Sequence, residues 1–454
     1  MKRLIYIALS VCALCSVLCT PVAAQDVVRL GERDLVGTAR YVGMSGAMTA
    51  IGGDPSAVRD NPAGLGLYRR PEVTLTIDYG NDRTIQANSN LAALRTHRVS
   101  VPQAAVVFSF GNPLQDKGLV YNNLMFSYHR LRTYSRSYQA GEIDGYSLAT
   151  LIAETGVNLG IDYPKDKVNE YNTFRLTERG IVDEFSIDWA MNISHKLYLG
   201  LGVRMQTYTM TGDATYFEEF STLNPEGRPY SLENSTWLHF AGVGCTFSVG
   251  AIYRPIRWLR MGVSLETPSL GGLSTYTSGT LYAQTDSLRS SKAPDQSDYD
   301  RRYHSPLRLS TSVAGQLGNF GMIALQYDYA HTSSYIDVHS LRAGVEIVPI
   351  PGMYINAGYT YEWNQDRKRA KGAPESVVPL DPTFNRQDAY FLNLHTTQYA
   401  SVGLGYRGHY ILVQAAYQYR WQRMNLYAHE NQPYAMQAGT HRVVLTIGWH
   451  RDWP

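Results

Sequence analysis

The chain has 454 residues, with 41 Lys and Arg against 39 Asp and Glu, a formal net charge of +2 and only 18% charged residues. Balanced charge leaves no footprint for nucleic acid or another polyanion. Three of the four cysteines precede Thr20, so Cys245 stands alone in the rest, without an internal disulfide or a multi-thiolate zinc site. The 34 tyrosines point elsewhere, because a ring with a polar tip suits the two water interfaces of a membrane barrel.

In chain order, Met1 to Arg3 are positive, Leu4 to Cys19 form an apolar core too short for a membrane helix, and Val22-Ala23-Ala24 reads as a cleavage site. Residues 1–24 are expected to be a signal peptide, with the mature chain beginning near Gln25. No later run approaches the roughly 20 apolar residues that a membrane helix needs. If the chain spans a membrane, it does so as a barrel.

Residues 25–40 are polar and mixed in charge, including Arg33 and Asp34, and suit either a flexible lead or part of the small-residue segment next to them. That segment, from Tyr41 to Tyr68, is rich in Gly and Ala, which lets backbone pack against backbone, and Asp54-Pro55 and Asn61-Pro62 start turns. Such an insert fits inside a tube. The series Gly46-Ala47, Asp54, Ser56-Ala57 and Asn61-Pro62-Ala63-Gly64, just ahead of the first strand, resembles the N-terminal hatch of the FadL/TodX family of outer-membrane transport proteins. The resemblance implies a hatch over residues 25–71, a barrel over 72–454, and passive uptake of hydrophobic or amphipathic molecules, long-chain fatty acids being the family's best-known substrate. It also implies that cargo leaves sideways through the barrel wall. The charged lead and the polar, Tyr-rich links depart from a plain fatty-acid channel, and a FadL-like partner in protein secretion or surface attachment is the alternative.

From Glu72 onward apolar and polar residues alternate with period two. In Asp183 to Ile193, Phe185, Ile187, Trp189, Met191 and Ile193 share one face, and Glu184, Ser186, Asp188 and Asn192 the other. About fourteen such strands run from Glu72 to Trp449, giving an all-β, antiparallel transmembrane barrel. The links at 111–118, 194–196, 254–257, 317–320, 349–352 and 407–409 are short, whereas those at 80–100, 131–182, 211–236, 267–305, 330–339, 362–397 and 422–439 are mostly long. This alternation is that of periplasmic turns and extracellular loops, so both termini are expected to be periplasmic in a Gram-negative outer membrane. Tyr276 to Gln284 reads as either an extra strand or part of the 267–305 link and is assigned to the link, which keeps the count even, and Ser147 to Glu154 reads as a short loop helix. The last strand resembles an outer-membrane assembly signal, displaced by Arg451 to Pro454.

No HExxH, GxSxG, Walker or dinucleotide motif occurs, so no enzyme, metal or cofactor is expected. Candidate lumen residues are Arg204, Arg260, Glu266, Arg308 and Arg342, set among other charged residues on the polar faces. Two roles are open to them: neutralising one another while holding the hatch, or meeting the anionic head of an amphipathic ligand. Expected partners are outer-membrane lipid, a hydrophobic small-molecule ligand and the outer-membrane assembly machinery, with no nucleic acid. Gly242, Gly244, Gly250, Gly403 and Gly405 mark places where the wall is weakened or where a strand makes room for the hatch.

Overall fold

The computed structural model describes residues 31–87, 89–112, 115–141, 169–223, 229–285, 288–292, 297–331, 336–366, 391–427 and 433–450. The expected signal peptide, the Ser147 to Glu154 helix and Arg451 to Pro454 lie outside them. The strands in chain order are β1 (Glu72–Gln86), β2 (Leu94–Gly111), β3 (Leu119–Gly141), β4 (Asn169–Ile193), β5 (Leu197–Leu223) and β6 (Pro229–Ile256). They continue as β7 (Leu259–Glu266), β8 (Leu270–Thr285), β9 (Leu288–Lys292), β10 (Ser297–Tyr303), β11 (Leu307–Gln316) and β12 (Gly321–His331). The last five are β13 (Ile336–Ile350), β14 (Met353–Asp366), β15 (Phe391–Arg407), β16 (Ile411–Tyr427) and β17 (Pro433–His450).

All pairings are antiparallel, and β1 closes onto β17 from Glu72 opposite His450 to Gln86 opposite Met436. The result is a closed barrel of 14 strand positions. Two positions are each filled by two strands end to end. β6 pairs with β7 at one end and with β8 at the other, and the neighbouring position is shared by β11 and β10. Pro268 and Pro306 sit in the two interruptions, where neither has an N–H to give a ladder. Ser269 and Ser305 stitch the breaks by each donating its amide to the other's Oγ, at 3.0 and 2.9 Å. Tyr276 to Gln284 therefore belongs to β8 and not to a loop, and the ring stays even because β8 prolongs a position that β7 already occupies.

Outward side chains form an apolar belt, for example Val73, Leu75, Ile77 and Tyr79 on β1 and Val443, Leu445, Ile447 and Trp449 on β17, all exposed. Four outward residues at every second position span about 20 Å, close to the apolar band of a membrane barrel. The strands β3 to β6 have 23 to 28 residues, so at about 3.3 Å per residue they rise far above that band. Much of what the sequence presents as long links is therefore strand. Above the belt the outward residues of β5 are Thr207, Thr209, Thr211, Asp213 and Thr215. The apolar alternation fades there while strand propensity persists.

Inside the ring lies the N-terminal segment, with short helices α1 (Ala39–Gly43) and α2 (Pro55–Asp60) and a 3-10 turn over Pro62–Leu67. Thr38 caps α1 by accepting the Tyr41 amide at 3.2 Å. Asp54 caps α2 by accepting the Ser56 amide at 2.9 Å, with Pro55 at the first helical position. Asn61 caps the 3-10 turn by accepting the Ala63 amide at 3.1 Å. Gly46, Gly52 and Gly53 have φ of 72, 62 and 64°, the left-handed region that glycine enters without penalty.

Candidate functional site

The N-terminal segment touches inward residues from strands on all sides. Ala39 donates its amide to Thr446 Oγ1 on β17 at 2.8 Å, and Thr49 its amide to Gln326 Oε1 on β12 at 3.0 Å. Thr360 on β14 donates to the Ser45 carbonyl at 2.9 Å, Ser264 on β7 to the Asp60 carbonyl at 2.7 Å, and Asn123 on β3 to the Leu65 carbonyl at 2.7 Å. Asn61 links the segment to itself at the Thr49 carbonyl, 2.9 Å, and to the wall at the Ala251 carbonyl, 3.4 Å.

Backbone meets backbone at inward glycines of the wall. A Cβ on Gly250 would lie 1.9 Å from Asn61 Oδ1, and one on Gly200 2.3 Å from the Pro62 carbonyl carbon. A Cβ on Gly262 would lie 2.7 Å from the Thr49 carbonyl oxygen, one on Gly344 2.7 Å from that of Met44, and one on Gly358 2.6 Å from the Ser45 amide nitrogen. Of the two roles open to Gly250, relief of crowding is the one its surroundings display. Gly403 and Gly405 face the side chains of Asn356 and Tyr354, Gly244 faces Ser269 and Tyr208, and Gly242 lies against the Gly272 carbonyl. Among these five, Gly250 alone contacts the N-terminal segment. Gly250→Val is expected to unseat the Asn61-Pro62 turn at a cost of about 1–3 kcal/mol, as overpacking does elsewhere. Limited proteolysis of the folded barrel should then cut within residues 41–68; unchanged resistance would contradict the seat.

Charge is the second means of attachment. Arg40 grips Glu346 of β13 with Nε and Nη2, at 2.6 and 2.7 Å, in a bidentate pair. Arg33 does the same to Glu266 of β7, its Nη1 at 2.9 Å from Oε2, and Arg204 Nη1 reaches that oxygen at 3.1 Å. Arg59 Nε bonds Glu184 of β4 at 3.1 Å. Arg342 bridges Asp328 at 2.8 Å and the Tyr41 hydroxyl at 3.0 Å. Arg260 donates to the Ile51 carbonyl at 3.0 Å, and Arg308 to the Gly31 carbonyl. Four of the five candidate lumen residues thus bind the N-terminal segment directly, and Arg204 supports it through Glu266. Their partners Arg33, Arg59 and Asp60, and Arg40 opposite Glu346, were not singled out in the sequence as binding groups, although the mixed charges of the lead were visible there. Burial pushes the Asp60 carboxyl up, but the Arg342 and Arg59 guanidiniums outweigh it and hold it below the usual carboxylate range. Its contribution to anchoring is complete above ordinary carboxylate pKa values and is lost as pH falls through its own depressed one.

Over this charged layer is a cavity of about 110 Å³, lined by Glu32 to Val36, Tyr41, Arg59, Asp60, Leu131, Glu266, Arg308 and Arg342 among others. Its volume is below the 300 Å³ or more usual for drug-sized ligands, so an extended fatty-acid chain does not fit in it. Toward the long-strand end the inward face becomes apolar. Leu131, Tyr134, Val182, Met210, Phe240 and Tyr303 belong to a first cluster. Phe174, Leu176, Phe220, Leu394, Met424 and Met436 belong to a second, farther along the strands.

Beside the cavity the wall unzips. The β2–β3 ladder ends at Gln103 opposite His129, whereas β1–β2 continues to Thr84 opposite Leu94 and β3–β4 to Gly141 opposite Thr173. Both strands are bulged where they part. β2 carries Val101 and Pro102 opposite Ile77 alone, and β3 carries Leu131 as an extra residue against β4. The bulged Leu131 carbonyl accepts the Asp34 amide at 2.9 Å, and Arg132 next to it pairs with Glu32. Farther along, Gln86 of β1 exchanges two hydrogen bonds with the Gly141 backbone, at 2.9 and 2.8 Å.

No family model and no curated protein matches the sequence, but solved structures match the fold along nearly its whole length. A FadL homologue from Pseudomonas aeruginosa superposes with a TM-score of 0.55 at 12% identity, covering 93% of this chain and 100% of its own. The chain has the fold of the FadL and TodX channels. The Pseudomonas putida toluene transporter TodX gives a TM-score of 0.53 at 14% identity, over 93% of this chain and 100% of TodX. The Ralstonia pickettii toluene transporter TbuX gives 0.52 at 13% identity, over 94% and 100%. At these identities the FadL/TodX likeness is one of architecture.

Proposed function

We propose that the protein is an outer-membrane channel for passive uptake of hydrophobic or amphipathic small molecules, with residues 25–71 as its hatch and the long-strand end facing outward. The observation that carries this reading is the layering of the lumen, apolar clusters above a charged floor, next to a wall whose ladder has ended. An apolar molecule gains about 0.8 kcal/mol per buried methylene by entering the apolar clusters. It then meets the ion-paired hatch, which offers it nothing comparable. The stretch where β2 and β3 share no ladder is the lateral way into the membrane in this reading, one that avoids crossing water. TodX and TbuX are toluene transporters, which sets one class of cargo to test. Long-chain fatty acids are the other, and need the upper clusters or a displaced hatch because the cavity is small.

The test is native mass spectrometry of the detergent-purified, folded barrel after exposure to toluene and to palmitate. Retention of either, abolished by Phe240→Asp, is the expected result. A secretion or surface-attachment role is the second reading, favoured by the height of β3 to β6 above the apolar belt. Absence of ligand together with a stoichiometric co-purifying protein would replace uptake with that reading.

A further inference from the structure

The rim of the apolar belt carries a patch of one sign. The registers of the neighbouring strands β16, β17, β1 and β2 place Trp421, Gly439, Arg83 and Arg95 in one row. The next row toward the belt is Tyr419, His441, Asn81 and His97. Arg423 stands two residues beyond Trp421. Arg83, Arg95, His97, Arg423 and His441 are all exposed. The carboxylates of these four strands, Glu72, Asp78 and Asp82, are buried, so none shares the outward face. Arg83 and Arg95 lie directly opposite each other across the ladder, a like-charge placement that costs stability unless an anion joins them.

Two further features suit an oxyanion. Tyr79 pairs with His97 Nδ1 at 2.8 Å and Tyr417 with His441 Nδ1 at 2.7 Å. When each hydroxyl donates, the ring proton is left on Nε2, ready to be donated elsewhere. In addition, β2 has no ladder with β3 beyond Gln103, so alternate backbone N–H groups between Leu94 and Pro102 lack a strand partner on that side. Immediately below the cations are the exposed Tyr79, Val99 and Val443, a surface for acyl chains.

We propose that this patch binds the phosphate groups of an outer-leaflet glycolipid, whose acyl chains lie along the apolar belt beneath. The occupant follows from chemistry: arginine forks match phosphate oxygens, and a free phosphate would leave the adjoining apolar face unused. Placing the patch in the outer leaflet rests on the orientation given under the proposed function.

The full mature chain in detergent micelles, titrated with diphosphoryl lipid A, is expected to retain one molecule by native mass spectrometry. Arg83→Gln combined with Arg95→Gln should weaken retention about thirtyfold, as for two phosphate-facing arginines. Arg175→Gln with Arg179→Gln, exposed cations on β4, should leave it unchanged. Equal weakening by both pairs, equal retention of phosphatidylethanolamine, or no effect of the first pair would overturn the site. Heat-modifiable gel mobility verifies that each variant is folded. Orientation has its own readout. Asn90→Cys in a Cys245→Ser background should react with an impermeant maleimide in intact cells. Reaction only after lysis overturns the outer-leaflet occupant even where lipid A binds in micelles.

Discussion

Deletion of residues 41–68 is expected to leave a folded barrel that conducts ions freely. The strand ladder is closed by β1 on β17 without any help from this segment, and closure satisfies the backbone within the membrane. Removing the segment strips Glu184 of Arg59 and Arg342 of Asp60. Water fills the vacated lumen, so these charges become solvated and are not left in a dry interior. A ring of 14 positions lies between the eight strands that side chains can fill and the 16 to 18 of aqueous porins. Single-channel recording in planar bilayers should therefore change from closed to an open, ohmic step. A trace that stays closed, from protein shown to be folded by its heat-modifiable mobility, would mean that these residues do not seal the lumen.

The barrel was legible because period-two alternation is a local signal, repeated in each strand. Phe185, Ile187 and Trp189 alternate with Glu184, Ser186 and Asp188 whatever the rest of the chain does, and the structure puts the first set outside and the second set inside. The strand tops were not legible, since Thr207 to Thr215 face water on one side of a tall wall and lose the apolar half of the pattern. β8 is a different case. Tyr276 to Gln284 goes to a loop on the sequence alone because an extra strand would make the count odd; that β8 prolongs β7 past Pro268 along the same neighbour, β6, depends on pairings that are not local.

In the candidate site, Arg204, Arg260, Glu266, Arg308 and Arg342 could be found because charges on the polar face of a strand are conspicuous. What they bind could not, because each partnership spans a large separation in sequence: Arg33 meets Glu266, and Arg342 meets Tyr41. The same holds for the wall glycines. Gly200 and Gly250 look like any strand glycine until the Asn61-Pro62 turn is placed against them. A glycine records a close approach without recording by what.

The largest effect on transport is expected at Pro102. This residue lies in the β2 bulge, one step beyond the last β2–β3 pair, and has no N–H with which to continue the ladder. Replacing it with Val restores a donor and a residue that favours strands. The edges of β2 and β3 then have reason to zip toward Thr96 and Tyr138, pairing the stretch of wall beside the cavity that has no β2–β3 ladder. Hydrogen exchange at the amides of residues 131–138 reports whether zipping has occurred, because newly paired amides become protected. With surface expression matched, uptake of labelled toluene or palmitate by Pro102→Val cells should fall by about tenfold or more. That corresponds to a barrier raised by about 1.4 kcal/mol, less than the cost of breaking two or three new ladder bonds. Gly403→Val, on the far side of the β16, β17 and β1 strands from this stretch, should leave uptake unchanged. Undiminished uptake in a Pro102→Val barrel whose β3 amides have become protected would exclude the space between β2 and β3 as the way out.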